Sequence, residues 1–436
     1  MLRFIDKVGP LLKNPLLRGS LVYTISSTVN AAIPFFLLPV LTKILTPDEY
    51  GIVSTFMVCN TILVLLIGLE QHGFVSTIFF SVGRQDVRKA ISNVYLISSA
   101  LFVVIICIVL LFSVPIASLV QISSKWIILA VMVSYFQVVA QLNLTIWQLE
   151  GKPIIYGWFQ ISNSLLNYVV SVLLVVVFGY DEDGRIIGIA VAAVTFGAIG
   201  FLILRRKQLL NLGFDATYFK ASLLFSLPLI PHVLAGWVNT GLDRILINNF
   251  VSVSENGIYS ISYQVAMLIG MVASSFNRAF TPFIFKNLNE EGDNDETKLK
   301  LVRYTYLYYA ALTGIAVVIY LMSPIILDLL VDEAYHGAES YLIWIMLGFL
   351  FDGYYYGVVN YLFYIRKTHF ISIISTASCI IHFLVSYLII PIHGAVGAAY
   401  ASAISYLFSF VVTFYVCNRR FPMPWGAYLR NVLTVT

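Results

Sequence analysis

Thr42-Lys43-Ile44-Leu45 followed by Glu49-Tyr50-Gly51-Ile52-Val53-Ser54 recurs as Asp243-Arg244-Ile245-Leu246 followed by Glu255-Asn256-Gly257-Ile258-Tyr259-Ser260. Each copy places a basic residue before Ile-Leu and then reads Glu-x-Gly-Ile-x-Ser. A proline pair precedes each, Pro34 and Pro39 in the first and Pro228 and Pro231 in the second. A second echo links Gly151-Lys152 and two apolar runs closing on Arg205-Arg206 to Arg366-Lys367 and two runs closing on Arg419-Arg420. Such self-similarity marks a duplicated unit. It divides the chain into halves 1–208 and 209–436, joined by the basic stretch 205–220.

The copies sit in a chain that is 59% hydrophobic and 11% charged over 436 residues. Soluble domains carry about 25% charged residues, so too little charge is present here to cover a surface. Soluble enzymes, disordered tails and nucleic-acid modules are excluded. A spanning helix needs roughly 20 apolar residues, and the apolar runs fall at 19–42, 51–81, 91–113, 126–149, 154–178, 186–204, 221–247, 256–280, 301–323, 338–364, 370–391 and 395–417. The expected fold is therefore an all-α polytopic membrane protein of about twelve transmembrane helices in two six-helix lobes. Six spans separate the copies, so both start on the same side. This makes them parallel repeats, as in two-lobed transporters, and a cleft between the lobes is expected.

Scarce charge then sets orientation. Of the 26 Lys and Arg residues, twenty-one fall on the side of the N-terminus. Only Lys43, Lys125, Arg185 and Arg244 fall on the other, and Arg278 lies within a span. The positive-inside bias places both termini in the cytoplasm. The stretch before the first span, with Arg3, Lys7, Lys13 and Arg18, reads as cytoplasmic and interfacial, and no cleaved signal peptide is expected. Cys59, Cys107, Cys379 and Cys417 show no CxxC spacing, so neither a disulfide framework nor a metal site is expected, and no cofactor is called for.

At the residues just quoted the resemblance becomes specific. Leu41-Thr42-Lys43-Ile44-Leu45-Thr46-Pro47-Asp48-Glu49-Tyr50-Gly51-Ile52 after a first helix broken at Pro34 and Pro39 resembles the Wzx-type flippase branch of the MOP/MATE-like exporter superfamily. Leu242-Asp243-Arg244-Ile245-Leu246-Ile247 is similar to the signature of that family's second lobe. The resemblance implies a bacterial inner-membrane protein. Its substrate would be an undecaprenyl-pyrophosphate-linked oligosaccharide repeat unit of O-antigen or capsule, and polymerase and chain-length proteins would be its partners. It does not imply which sugars.

Polar groups within spans are costly and default to a functional reading. Arg278 lies about 33 Å along an ideal helix from Asn256, where it either snorkels to the cytoplasmic face or anchors a pyrophosphate through its guanidinium fork. Arg244 and its repeat counterpart Lys43 are either interfacial caps or a cationic pair around an anionic headgroup. Glu70, Asp243 and Asp352 are the carboxylates able to carry a coupling H+ or Na+, or to form structural ion pairs. Glu70 interrupts an apolar run too long for one crossing, which tilts, protrudes or bends at Gly73. Asp352 opens a stripe with Tyr356, Asn360 and Tyr364 that faces the cleft or a neighbouring helix. His382, with Ser375, Ser378 and Ser386, reads as a hydrogen-bonding residue between helices. Gln137, Gln141, Gln148, Gln160, Asn163 and Asn167 form amide rows on the fourth and fifth spans, suited to sugar hydroxyls or to helix–helix hydrogen bonds.

Three functions compete. The first is flipping of the lipid-linked oligosaccharide by alternating access, with flexure at the proline pairs. The second is a MATE-type drug/cation antiporter, which needs a buried acid on the first helix, where only Asn30 stands. The third, a membrane-embedded enzyme, lacks any large outer loop or catalytic motif.

Overall fold

The computed structural model describes residues 15–210 and 213–426. Arg3, Lys7, Lys13 and Arg430 lie outside the described residues, as does everything expected of the two chain ends.

The described residues are helical throughout, with no strand. In chain order the α-helices are α1 (Pro15–Thr42), α2 (Pro47–Gly68), α3 (Gln71–Ile78), α4 (Arg84–Leu111), α5 (Ser113–Val120), α6 (Ser124–Leu149), α7 (Pro153–Val172) and α8 (Asp181–Arg206). They continue as α9 (Ala216–Ser226), α10 (Ile230–Phe250), α11 (Val253–Glu290), α12 (Asp295–Leu330), α13 (Glu339–Tyr364), α14 (Thr368–His393) and α15 (Val396–Arg420). Among the described residues, eleven helical stretches are long and apolar enough to cross a membrane.

The signature motif is a helix start. Thr46 is the N-cap of α2: the Glu49 amide donates to Thr46 Oγ1 at 3.4 Å and the Thr46 amide donates to Glu49 Oε2 at 2.7 Å. Pro47 occupies the first turn, where its missing N–H costs nothing. In the second copy Ser252 caps α11 by accepting from the Glu255 amide at 3.1 Å, and the Glu255 carboxylate accepts from the Tyr341 hydroxyl. The repeated glutamate is thus the third residue of a capped helix in both copies.

The second span departs from expectation. The expected run 51–81 is two helices, because α2 ends at Gly68 and α3 restarts at Gln71. Leu69 (φ 45°) and Glu70 (φ 54°) between them are both left-handed. The break therefore falls at Leu69–Glu70 and not at Gly73. Gly73 stays helical against Phe225, and a Cβ on it would meet that ring at 3.3 Å. The proline pairs also differ from one another. The expected break at Pro34 and Pro39 is absent, because a membrane helix tolerates proline where its freed backbone groups are satisfied locally, and α1 runs on as a single helix. The break is met only in the second pair, where Leu227-Pro228-Leu229 forms a 3-10 turn between α9 and α10.

Two compact units meet between Val233 and Leu234. In the first, α6 packs on α8, α7 on α8, α2 on α6 and α4 on α6. The second repeats this order with α13 on α15, α14 on α15, α11 on α13 and α12 on α13. α9 packs on α3 and α4 and so belongs with the first unit. In the second unit a Gly353–Gly357 step lets α12 approach α13 closely. A Cβ on Gly353 would lie 2.3 Å from Leu312, and one on Gly357 would lie 2.6 Å from the Tyr309 hydroxyl. Small residues one turn apart are the usual device for close packing in lipid.

At one end of the first unit, Glu150 links α6 to α8. Its carboxylate accepts from Lys152 at 2.8 Å and from Lys207 at 2.9 Å. Partial burial would raise the carboxyl, but the two lysines outweigh this and hold it below the usual carboxylate range. Elsewhere α4 and α12 leave apolar faces uncovered by protein, with Leu111 78%, Leu321 69% and Ile325 59% exposed. Faces of that kind suit lipid contact.

Candidate functional site

The most developed polar cluster surrounds Asp243 on α10, whose residue is 1% exposed. Its Oδ1 accepts from Ser386 Oγ at 2.9 Å and lies 3.0 Å from His382 Nε2, both on α14. Its Oδ2 accepts from the Tyr259 hydroxyl on α11 at 3.1 Å and from Ser402 Oγ on α15 at 3.3 Å. His382 Nδ1 in turn lies 3.2 Å from Ser405 Oγ. Four helices therefore converge on one carboxylate. A buried charge persists only when paired and hydrogen-bonded, and this one has four partners. His382 and Ser386 do join helices as expected. Ser378 donates to the Ser405 carbonyl instead.

Arg244, next in sequence, points elsewhere. Its guanidinium stands 4.3 Å from the Tyr263 ring centroid and donates to the Thr240 carbonyl. Such stacking suits a planar cation in a low-dielectric setting. Lys43, its counterpart in the other repeat, is exposed in the turn after α1. The structure does not put the two cations in equivalent surroundings.

Arg278 lies 25 residues past Val253, about 38 Å along α11. Its side chain is exposed and donates to Ser275 Oγ at 3.1 Å, and it forms no ion pair among the described residues. One position before it, Asn277 accepts from Asn360 Nδ2 at 2.8 Å. Thr281 donates to Asn360 Oδ1 at 3.0 Å, and the Tyr364 hydroxyl reaches the Leu288 carbonyl at 3.4 Å. Asn360 and Tyr364 of the Asp352 stripe thus face α11, while Asp352 bonds to Tyr356 on its own helix.

The amide rows divide. Gln137 accepts from Asn60 at 2.8 Å, and Ser134 donates to Asn60 Oδ1 at 2.8 Å, which joins α6 to α2. Asn167 accepts from Arg185 Nη1. Gln141 and Gln148 are exposed. Gln160 Oε1 and Asn163 Oδ1, three residues apart on α7, are buried without a hydrogen-bond partner among the described residues. Glu70 lies 3.5 Å from His72, with both side chains more than a third exposed. Beside them a cavity of about 70 Å³ is lined by Gln71, Tyr95, Ser98 and Gln141. Both amide atoms of Gln71 and the Ser98 hydroxyl are buried there without partners. About 10–15 Å³ admits one water, so this cavity has room for several.

Two features escaped sequence reasoning. Arg185, counted with the outer connections, is 7% exposed inside α8 and donates to Asn167 and to Ser171 Oγ at 2.8 Å. The paired positive-φ residues Leu69 and Glu70 carry no glycine signal.

The family profile described as "Polysaccharide biosynthesis protein" matches residues 16–288. The chain belongs to this family. A second profile, MatE, matches 228–388. Among relatives, "Lsg locus putative protein 1" of Haemophilus influenzae is 24% identical over 373 residues, 84% of this chain and 89% of the relative. The "Capsular polysaccharide biosynthesis protein CapF" of Staphylococcus aureus is 22% identical over 91% of this chain and 98% of the relative. In fold the chain is similar to an inward-facing MATE family transporter of the MOP superfamily, with TM-score 0.74, 12% identity and coverage of 94% and 99%. It is likewise similar to the lipid II flippase MurJ in an inward closed conformation, with TM-score 0.70, 15% identity and coverage of 91% and 87%. The chain thus joins membership of the polysaccharide biosynthesis protein family to a MATE-like fold with, among the described residues, eleven helical stretches long and apolar enough to cross a membrane.

Proposed function

We propose that this chain flips undecaprenyl-pyrophosphate-linked oligosaccharide repeat units, of O-antigen or capsular polysaccharide, from the cytoplasmic to the outer leaflet by alternating access. In this reading Pro15–Thr42 is the twelfth span, the lobes are 1–208 and 209–436, and both ends are cytoplasmic. The act is transport; no bond is made or broken, and the protein is not an enzyme.

Arg278 carries the reading. A guanidinium on a membrane-crossing helix, partnered among the described residues by a serine hydroxyl and by no carboxylate, favours an anionic substrate and disfavours a cationic drug. Arg244 and Lys43 are assigned to the same pyrophosphate. Gln137, Gln141, Gln148, Gln160, Asn163 and Asn167 are assigned to the sugars, with the unpartnered oxygens of Gln160 and Asn163 the strongest support. Ion coupling, by H+ or Na+, is assigned to Asp243, Glu70 and Asp352. Polymerase and chain-length proteins are the proposed partners.

The second reading, a MATE-type antiporter, draws on the MatE match and on the buried carboxylate of Asp243. Surface-polysaccharide display in a flippase-deficient strain separates the two. Arg278→Ala abolishes display and Arg278→Lys restores part of it. Intact display by Arg278→Ala, Arg244→Ala and Lys43→Ala alike overturns the cationic mechanism.

A further inference from the structure

The first unit holds a basic cavity that the transport reading does not use. It measures about 600 Å³ and is lined by Arg84, Gln85, Arg88, Lys89, Arg205 and Gln208. Among the described residues no carboxylate lines it. Lys89 is partly neutralised by Asp86 at 3.6 Å and Asp215 at 3.7 Å. Arg84, Arg88 and Arg205 form no ion pair among the described residues, and Arg88 Nε is buried with no acceptor. Three guanidiniums without carboxylate partners around one space give it a positive field that attracts anions. Arg84 lies in the first turn of α4, whose N-cap, Gly83, supplies no side-chain acceptor, and Asp86 is the one acid in that turn. Its volume falls within the usual range for ligand pockets, about 300–1,000 Å³.

We propose that this cavity is a binding site for a phosphate-bearing anion of more than one negative charge, held by Arg84, Arg88 and Arg205. Guanidiniums take phosphoryl oxygens two at a time, and their own charge persists at any cellular pH. The positive-inside bias puts the start of α4 and the end of α8 at the cytoplasmic face, where anionic headgroups and soluble diphosphates both occur. None of Arg278, Arg244 and Lys43 lines it, so the inference does not rest on the transport reading.

The test uses the purified full chain in neutral detergent with two probes. One arm titrates inorganic pyrophosphate, and the other titrates phosphatidylglycerol against phosphatidylcholine in mixed micelles. Binding is read by native mass spectrometry and by the shift in melting temperature. Saturable binding of one probe or both is expected, and the arm that responds identifies the source. Each guanidinium removed, in Arg88→Gln or Arg205→Gln, weakens it about tenfold. Arg84 and Arg205 are exposed, so Arg84→Gln and Arg205→Gln remain readable where Arg88→Gln does not fold. No saturable binding in either arm, or equal affinity in wild type and folded variants, overturns the proposal. Neither result bears on polysaccharide display.

Discussion

Replacing Asp243 with alanine deletes one acceptor group and strands four donors at once. Tyr259, His382, Ser386 and Ser402 all converge on that carboxylate. Within membrane proteins a side-chain hydrogen bond averages about 0.6 kcal/mol and reaches about 1.7. Ser386→Ala removes one contact and is expected to cost that much. Asp243→Ala removes four and is expected to cost about 2–7 kcal/mol on the same scale. The sharper expectation is non-additivity. In the Asp243→Ala background the Ser386 hydroxyl has lost its acceptor, so adding Ser386→Ala costs almost nothing further. Reversible unfolding in mixed detergent micelles, followed through tryptophan fluorescence, measures all four corners of this cycle. The reasoning fails if Asp243→Ala costs no more than Ser386→Ala. It fails equally if Ser386→Ala costs the same in both backgrounds.

Three further outcomes follow from features of the fold. Glu150→Gln lowers the melting temperature at neutral pH by an amount consistent with a half-exposed ion pair, about 1 kcal/mol or less. Because the folded carboxyl titrates below its unfolded value, that stabilisation is present above the unfolded range and disappears on acidification. A wild-type advantage that is the same at pH 4 as at pH 7 contradicts the assignment. Gly353→Val drives a branched side chain into Leu312 and is expected to destabilise by about 1–3 kcal/mol, as overpacking does; unchanged unfolding would show that α12 and α13 separate freely there. Thr46→Ala removes the α2 cap and is expected to cost about 0.5–2 kcal/mol, with Thr46→Ser retaining most of the stability in the same assay.

Hydropathy made the spans legible because lipid leaves so few alternatives: a crossing backbone must satisfy its own hydrogen bonds, so each long apolar run becomes a helix. The Glu-x-Gly-Ile-x-Ser echo was readable for a local reason, since a cap and its third residue lie three positions apart. The break at Leu69–Glu70 was not readable, because left-handed backbone at non-glycine residues is imposed by packing, and Gly73 advertised a bend that it does not make. At the site, Asp243, His382 and Ser386 each stood out as polar residues in apolar runs. Their convergence did not, since 139 residues separate the acid from the histidine. Arg185 was misplaced for the same reason. Counting charge near a span end cannot distinguish a loop cation from one turned inward onto Asn167 and Ser171.

Arg185 and Asp243 also differ in when their partners come into existence. The groups that satisfy Arg185 lie 18 and 14 residues upstream, so they have already left the ribosome when the arginine emerges. The α7–α8 hairpin can therefore enter the bilayer with its cation already matched. Asp243 has Tyr259 only 16 residues ahead, but its other donors lie 139, 143 and 159 residues further along the chain. Throughout synthesis of the second half, that acid awaits the last two helices. Their arrival completes the hydrogen bonding of that carboxylate. A chain truncated before α14 would present a carboxylate met by Tyr259 alone to the quality-control machinery of the membrane, whereas one truncated after α8 would keep Arg185 fully matched.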